Sequence, residues 1–248
     1  MTGPDLAAPG WYGKLATLGD FAGRRVPTAA QQALDRWLSD VVAGSREQLG
    51  DDWLDLYLAA PLQRFVLGPR VLGDGWWFGL LMPSCDNVGR YFPLVVLLPR
   101  AAPPADGAAL AHLGLWWQRV GEAVLETLAD EVDVERFDRA LAELPPWPGV
   151  ADSAGLTPEL LRPWLQPMTP AAQTARSTAQ APAAAVLQLP ADCSPADLTA
   201  GLAAAEWQRR LSGASLWWSW RPQGGASTCR LVPGLPTAGD FAAMLAPG

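Results

Sequence analysis

Apolar positions along this chain recur with two distinct periods. Behind Pro27, Leu34, Trp37, Leu38, Val41 and Val42 return at helical spacing, and proline suits a first helical turn because it has no N–H to leave unpaired. Gly44 weakens the later part of this helix and Gly50 ends it. Asp51 and Asp52 open a second helix at its positive end, where Trp53, Leu54, Tyr57 and Leu58 make one apolar face and Pro61 stops the helix. Two near-continuous apolar runs, 76–81 and 94–98, read as buried strands. The polar stretch 82–93 joins them, with Asp86-Asn87-Val88-Gly89 as the turn and Gly89 free to take positive φ. Residues 11–18 read as a short strand or an extended entry, and further strands are expected at 64–67 and 71–72. A long amphipathic helix over 108–128 buries Leu113, Trp116, Trp117, Val120, Val124 and Leu128, and another over 134–144 stops at Pro145.

The later chain repeats this menu: a strand at 184–189, a helix at 195–211, strands at 216–220 and 229–232, and a helix at 237–245. The Trp217-Trp218-Ser219-Trp220 run alternates poorly, which predicts a central strand buried on both faces. Gly239-Asp240-Phe241 echoes Gly19-Asp20-Phe21, too short a match to make a repeat. The expected fold class is mixed α/β (α+β), a largely antiparallel sheet flanked by helices. Residues 1–165 form an N-terminal domain. Residues 166–183, low in complexity and poor in large apolar groups, form a flexible loop. Residues 184–248 make either a smaller α/β subdomain or an extension of the first sheet.

Composition narrows the function. Half the residues are hydrophobic and 13 are Trp, so most of the chain has a core to bury. Charged residues make up only 17%, the net charge is −7, and the single lysine is Lys14. Such a chain lacks the basic field that DNA or RNA binding needs. No basic n-region followed by an apolar h-region opens the sequence, and the apolar runs are too short to insert in a bilayer. Cys85, Cys193 and Cys229 are odd in number and scattered, which argues against a disulfide framework and for the cytoplasm.

Catalytic chemistry finds few residues to use. His112 is the only histidine, lies within the helical pattern at 108–128, and has no Gly-x-Ser-x-Gly nucleophile turn to serve. Cys85 is either a reactive thiol lowered by nearby Arg90 or a small residue in a tight turn. No Cys-x-x-Cys or His-x-x-x-His spacing suggests a metal, and Asp51, Asp52 and Asp55 fit a helix N-terminus. Neither a phosphate loop nor a dinucleotide fingerprint is present, so no cofactor is expected.

The segment Gly10-Trp11-Tyr12-Gly13-Lys14-Leu15, followed by Gly19-Asp20-Phe21 and the basic pair Arg24-Arg25, opens a series of ordered motifs. Trp37-Leu38 comes next, then Trp53 to Tyr57, then Met82-Pro83-Ser84-Cys85-Asp86-Asn87-Val88-Gly89-Arg90-Tyr91-Phe92-Pro93-Leu94. Together they resemble the TagF (ImpM) family of bacterial type VI secretion accessory proteins, closely up to about residue 100. The resemblance implies a first domain like the small longin or profilin sheets. It also implies a post-translational negative regulator that binds and sequesters a forkhead-associated (Fha) scaffold protein or a membrane-complex component. Such a protein is cytoplasmic, and peripheral to the inner membrane only through its partners. The alternatives are a structural or assembly subunit of the apparatus, and a hydrolase or thiol enzyme using Cys85 or His112.

The polar residues of these motifs have two readings. In the structural one, Arg90 enters a strand between aromatics and must pair with Asp20 or Asp86, while Ser84 caps the turn and Gly89 and Phe92 shape it. In the functional one, Lys14, Arg24, Arg25, Asp86, Arg90 and Tyr91 face a partner protein, with Trp11 or Trp76 as a further aromatic anchor. Lys14, Arg24 and Arg25 are expected to be exposed.

Overall fold

Strands β4 (Trp76–Met82) and β5 (Leu94–Arg100) pair antiparallel at the centre of the molecule, and both are buried over almost their whole length. The runs are continuous because each face of the sheet carries a helix layer. Trp76, Phe78, Leu80 and Met82 enter one hydrophobic cluster, whereas Trp77 and Leu81 enter the other. The computed structural model describes residues 8–145, 161 and 193–246, apart from 19, 87, 105, 130–132 and 225. The strand expected at 184–189 and the loop expected at 166–183 lie outside the described residues.

Around the central pair the sheet adds β1 (Gly10–Gly13) and β2 (Ala22–Arg24) on one side. On the other it adds β3 (Leu62–Leu67), β6 (Ala214–Trp220) and β7 (Cys229–Pro233). The order is β2-β1-β5-β4-β3-β6-β7, and every ladder is antiparallel. Of the two arrangements open for the C-terminal part, the ladder from Leu62↔Trp220 to Leu67↔Ser215 makes β6 and β7 an extension of one sheet.

One face is covered by α1 (Thr28–Leu49), the short α2 (Trp53–Ala59) and α6 (Ala238–Leu245). The other carries α3 (Gly107–Glu126), α4 (Val134–Ala142) and the C-terminal end of α5 (Pro195–Leu211). Gly44 does not interrupt α1. A Cβ there would stand 2.5 Å from that of Ala238, so glycine is what lets α6 lie close against α1. Capping boxes at Ser194/Asp197 and Thr237/Asp240 start α5 and α6. Gly239-Asp240-Phe241 is therefore a helical first turn, unlike the loop at residues 20 and 21.

Several sequence expectations are corrected. Residues 71–72 form no strand: Arg70 has φ 72°, and the chain turns there to bring Leu72 inward, where its carbonyl accepts from Trp77 Nε1. Strand β6 is the penultimate one and buries only alternate residues, Ser215, Trp217 and Ser219, toward α1; Leu216, Trp218 and Trp220 are half-buried. Leu128 lies beyond the end of α3 and is exposed. On α2, Trp53 and Tyr57 face the sheet while Leu54 and Leu58 face out, since two adjacent stripes on one helix cannot both point at the core.

Candidate functional site

The strand ends at β1 Gly13, β3 Leu62, β4 Met82, β5 Leu94 and β6 Trp220 converge on one end of the sheet, which also carries the 83–93 loop. Gly13, at φ 142°, passes so close to the Pro93 carbonyl that a Cβ would lie 2.2 Å from its oxygen. That approach turns Lys14 inward. Its ammonium donates to Asp86 Oδ2 at 2.6 Å and sits 4.4 Å from the Phe21 ring centroid. Lys14 is 3% exposed, so the expectation of a surface lysine is overturned: its charge is satisfied from within the fold.

Asp86 organises the loop. Besides Lys14 it accepts from the Val88 and Arg90 backbone N–H groups at 3.1 and 2.8 Å, and from Arg90 Nε at 2.7 Å. Burial pushes its carboxyl up, but the hydrogen bonds from Lys14 and then Arg90 and Val88 outweigh it and hold the group well below the usual carboxylate range. Asp86 to Gly89 closes as a turn, with the Gly89 N–H donating to the Asp86 carbonyl and Gly89 at φ 78°. Arg90 lies in that loop and not inside a strand, and its side chain is 56% exposed. Its carboxylate is Asp86. Asp20 is exposed and accepts from the Phe21 N–H instead.

The inner side of the loop is fastened as firmly. Ser84 Oγ donates to the Lys14 carbonyl at 2.8 Å, so it ties two motifs together and does not cap its own turn. The Tyr57 hydroxyl donates to the Ser84 carbonyl and accepts from its N–H, both at 3.1 Å. Burial raises the Tyr57 pKa, keeping the hydroxyl neutral for both bonds. Tyr91 is half-buried edge-on against Trp53 and Tyr57, and Phe92 is buried against Tyr12 and Phe21. Trp11 and Trp76 are buried and face no partner. Among its described residues, what the loop offers outward is Val88, 67% exposed, with the Arg90 guanidinium and the open edge of Phe21 beside it.

Arg24 and Arg25 belong elsewhere. Both reach across to α4: Arg24 pairs with Glu135 and Asp138, and Arg25 with Asp138, which also accepts from Trp11 Nε1 at 2.8 Å. Burial raises the Asp138 carboxyl, and donors from Arg25, Trp11 and Arg24 reverse this and bring it down to about 2. These arginines clamp α4 onto the β1–β2 edge. Sequence spacing gave no hint, since more than a hundred residues separate the partners.

Cys85 is half-buried in an isolated bridge with Tyr91, and His112 is exposed on α3. Among the described residues no group of three His, Cys, Asp or Glu converges to hold a metal, and no helix is long and apolar enough to cross a membrane.

Comparison with known proteins agrees with this geometry. The family profile described as the TagF N-terminal domain, type VI secretion system-associated, matches residues 10–144. The crystal structure of PA0076 from Pseudomonas aeruginosa PAO1 is similar over 96% of this chain and 93% of that one, with 33% identity and a TM-score of 0.67. No curated protein matches the chain.

Proposed function

The chain belongs to the TagF family of type VI secretion system-associated proteins, and from that premise we propose that it is a post-translational negative regulator of the type VI apparatus. It acts by stoichiometric binding, holding a forkhead-associated scaffold protein or a membrane-complex component away from assembly. The observation that supports this reading is the ionic core of the 83–93 loop. Lys14 and Asp86 are buried against each other, and their bonds fix the shape of a surface loop. A rigid loop tipped by an exposed apolar residue and a half-exposed guanidinium suits recognition, because little conformational freedom is lost when a partner docks.

Controlled expression in the native host tests it. Type VI-dependent secretion should fall in proportion to the amount of this protein and level off near one copy per partner, and the purified protein should retain the forkhead-associated scaffold. V88D should keep the wild-type melting temperature and lose repression. Secretion abolished by deleting the gene would sink the regulator and favour a structural subunit.

A further inference from the structure

Next to the loop, the same end of the sheet opens a groove of about 300 Å³. Its walls are Leu58, Leu62, Met82, Leu125, Leu128 and Trp220, and Leu58 and Leu128 stand 60% and 54% exposed on its rims. Exposed leucines on both rims of one apolar concavity mark a surface made for contact. Among the described residues, the charged one lining the groove is Arg221, which donates to the Ala59 carbonyl, and no carboxylate joins it there. A second cation stands behind the wall. Arg64, on the same face of β3 as Leu62, lays its guanidinium 4.6 Å from the Trp220 ring centroid.

Arg64 is half-buried, a place where a cation losing part of its water is usually paired. Among the described residues no carboxylate pairs with it, and its buried Nε has no hydrogen-bond partner. Burial lowers its pKa. The same face of β3 otherwise carries Leu62 and Val66, where a methionine would fit with less desolvation, so packing alone does not explain the arginine.

We infer that this groove is a second part of the docking surface and takes an acidic, leucine-bearing segment of the protein partner, whose apolar side chains enter between Leu58 and Leu128 while its carboxylates meet Arg221, with the Arg64 charge behind Trp220 adding to the attraction. The charge argument carries the choice of occupant. In a chain with 25 acidic and 18 basic residues, this concavity joins an arginine to apolar walls with no acid among its described lining residues. A basic segment or a nucleic acid backbone without apolar anchors matches only one of those features. The groove and the loop meet at Pro83, so one partner spans both. The inference rests on the regulatory reading only for the identity of that partner.

The test uses the full chain and two fluorescein-labelled peptides with identical leucine positions, one filled out with glutamate and one with lysine. The glutamate peptide should bind at least about tenfold tighter than the lysine peptide. R64M and R221Q should each cost about tenfold, and L58S/L128S should abolish binding of both peptides. R64M should melt at or above the wild-type temperature. Equal binding of the two peptides, binding of neither, variants indistinguishable from wild type, or an R64M chain that melts far below wild type would each overturn the groove assignment. The forkhead-associated scaffold is assayed on the same proteins. If wild type takes the glutamate peptide but not the scaffold, the regulatory reading fails and the groove stands. If it takes the scaffold and the groove variants take it equally well, the groove fails alone.

Discussion

Removing the ammonium of Lys14 leaves the Asp86 carboxylate buried with a smaller set of donors, a change that costs far more than the intact pair contributes. K14M should lower Tm by roughly 10 °C, and K14M/D86N should recover a good part of the loss because no uncompensated charge remains. S84A removes one bond to the Lys14 carbonyl and should cost about 1–2 kcal/mol. Thermal melts of these variants measure the coupling, and additive losses for Lys14 and Asp86 would contradict the ionic core. At this scale the sequence was legible in part. An arginine near aromatics demanded a carboxylate, and Asp86 was one of two candidates. Lys14 was misread because its inward turn depends on Gly13 meeting Pro93, eighty residues away in the chain.

Among the elements, α4 depends on charge for its seat. Asp138 joins Trp11, Arg24 and Arg25, and its folded pKa of about 2 lies below the ordinary aspartate value. A depressed carboxylate stabilises the fold above its unfolded pKa, and that contribution fades as pH falls toward the folded value. Tm should therefore drop between about pH 4 and pH 2, and D138N should start lower at neutral pH and fall less steeply across that window. Calorimetry at stepped pH checks both slopes; parallel slopes would mean that Asp138 does not carry the clamp. The helices themselves were readable from caps and apolar spacing, as at Ser194 and Thr237. Their outward faces were less so. Leu54 and Leu58 on α2 share the helical spacing of Trp53 and Tyr57, and only packing against α1, α6 and the Tyr91 ring decides which stripe turns inward.

For the whole molecule, the sheet does not stop where the family profile does. Residues 10–144 match it, yet β3 is paired on its far side by β6, and Trp217, Phe241, Met244 and Leu245 complete the core under α1. A chain truncated after Leu144 exposes a six-residue edge on β3, four of whose residues are apolar, and should be found in aggregates rather than as a cooperative monomer. Size-exclusion chromatography with a thermal melt decides this. A soluble, cooperatively melting fragment would show that the C-terminal strands are dispensable. The antiparallel class with flanking helices followed from alternation between strand-like and helical runs. Whether the C-terminal strands stood apart or joined the first sheet did not, because nothing in the local pattern of β6 names β3 as its neighbour.

That pairing also sets a schedule for synthesis. Leu67 leaves the ribosome long before Ala214, and at about 5–20 residues per second the interval is roughly 7–30 s. Once Met82 has followed, and for the rest of that interval, the nascent chain presents a hydrophobic hairpin of β3 and β4 with the far side of β3 unoccupied. Such an intermediate is open to aggregation, so the steady level of this protein should fall when chaperones are depleted, with transcription unchanged.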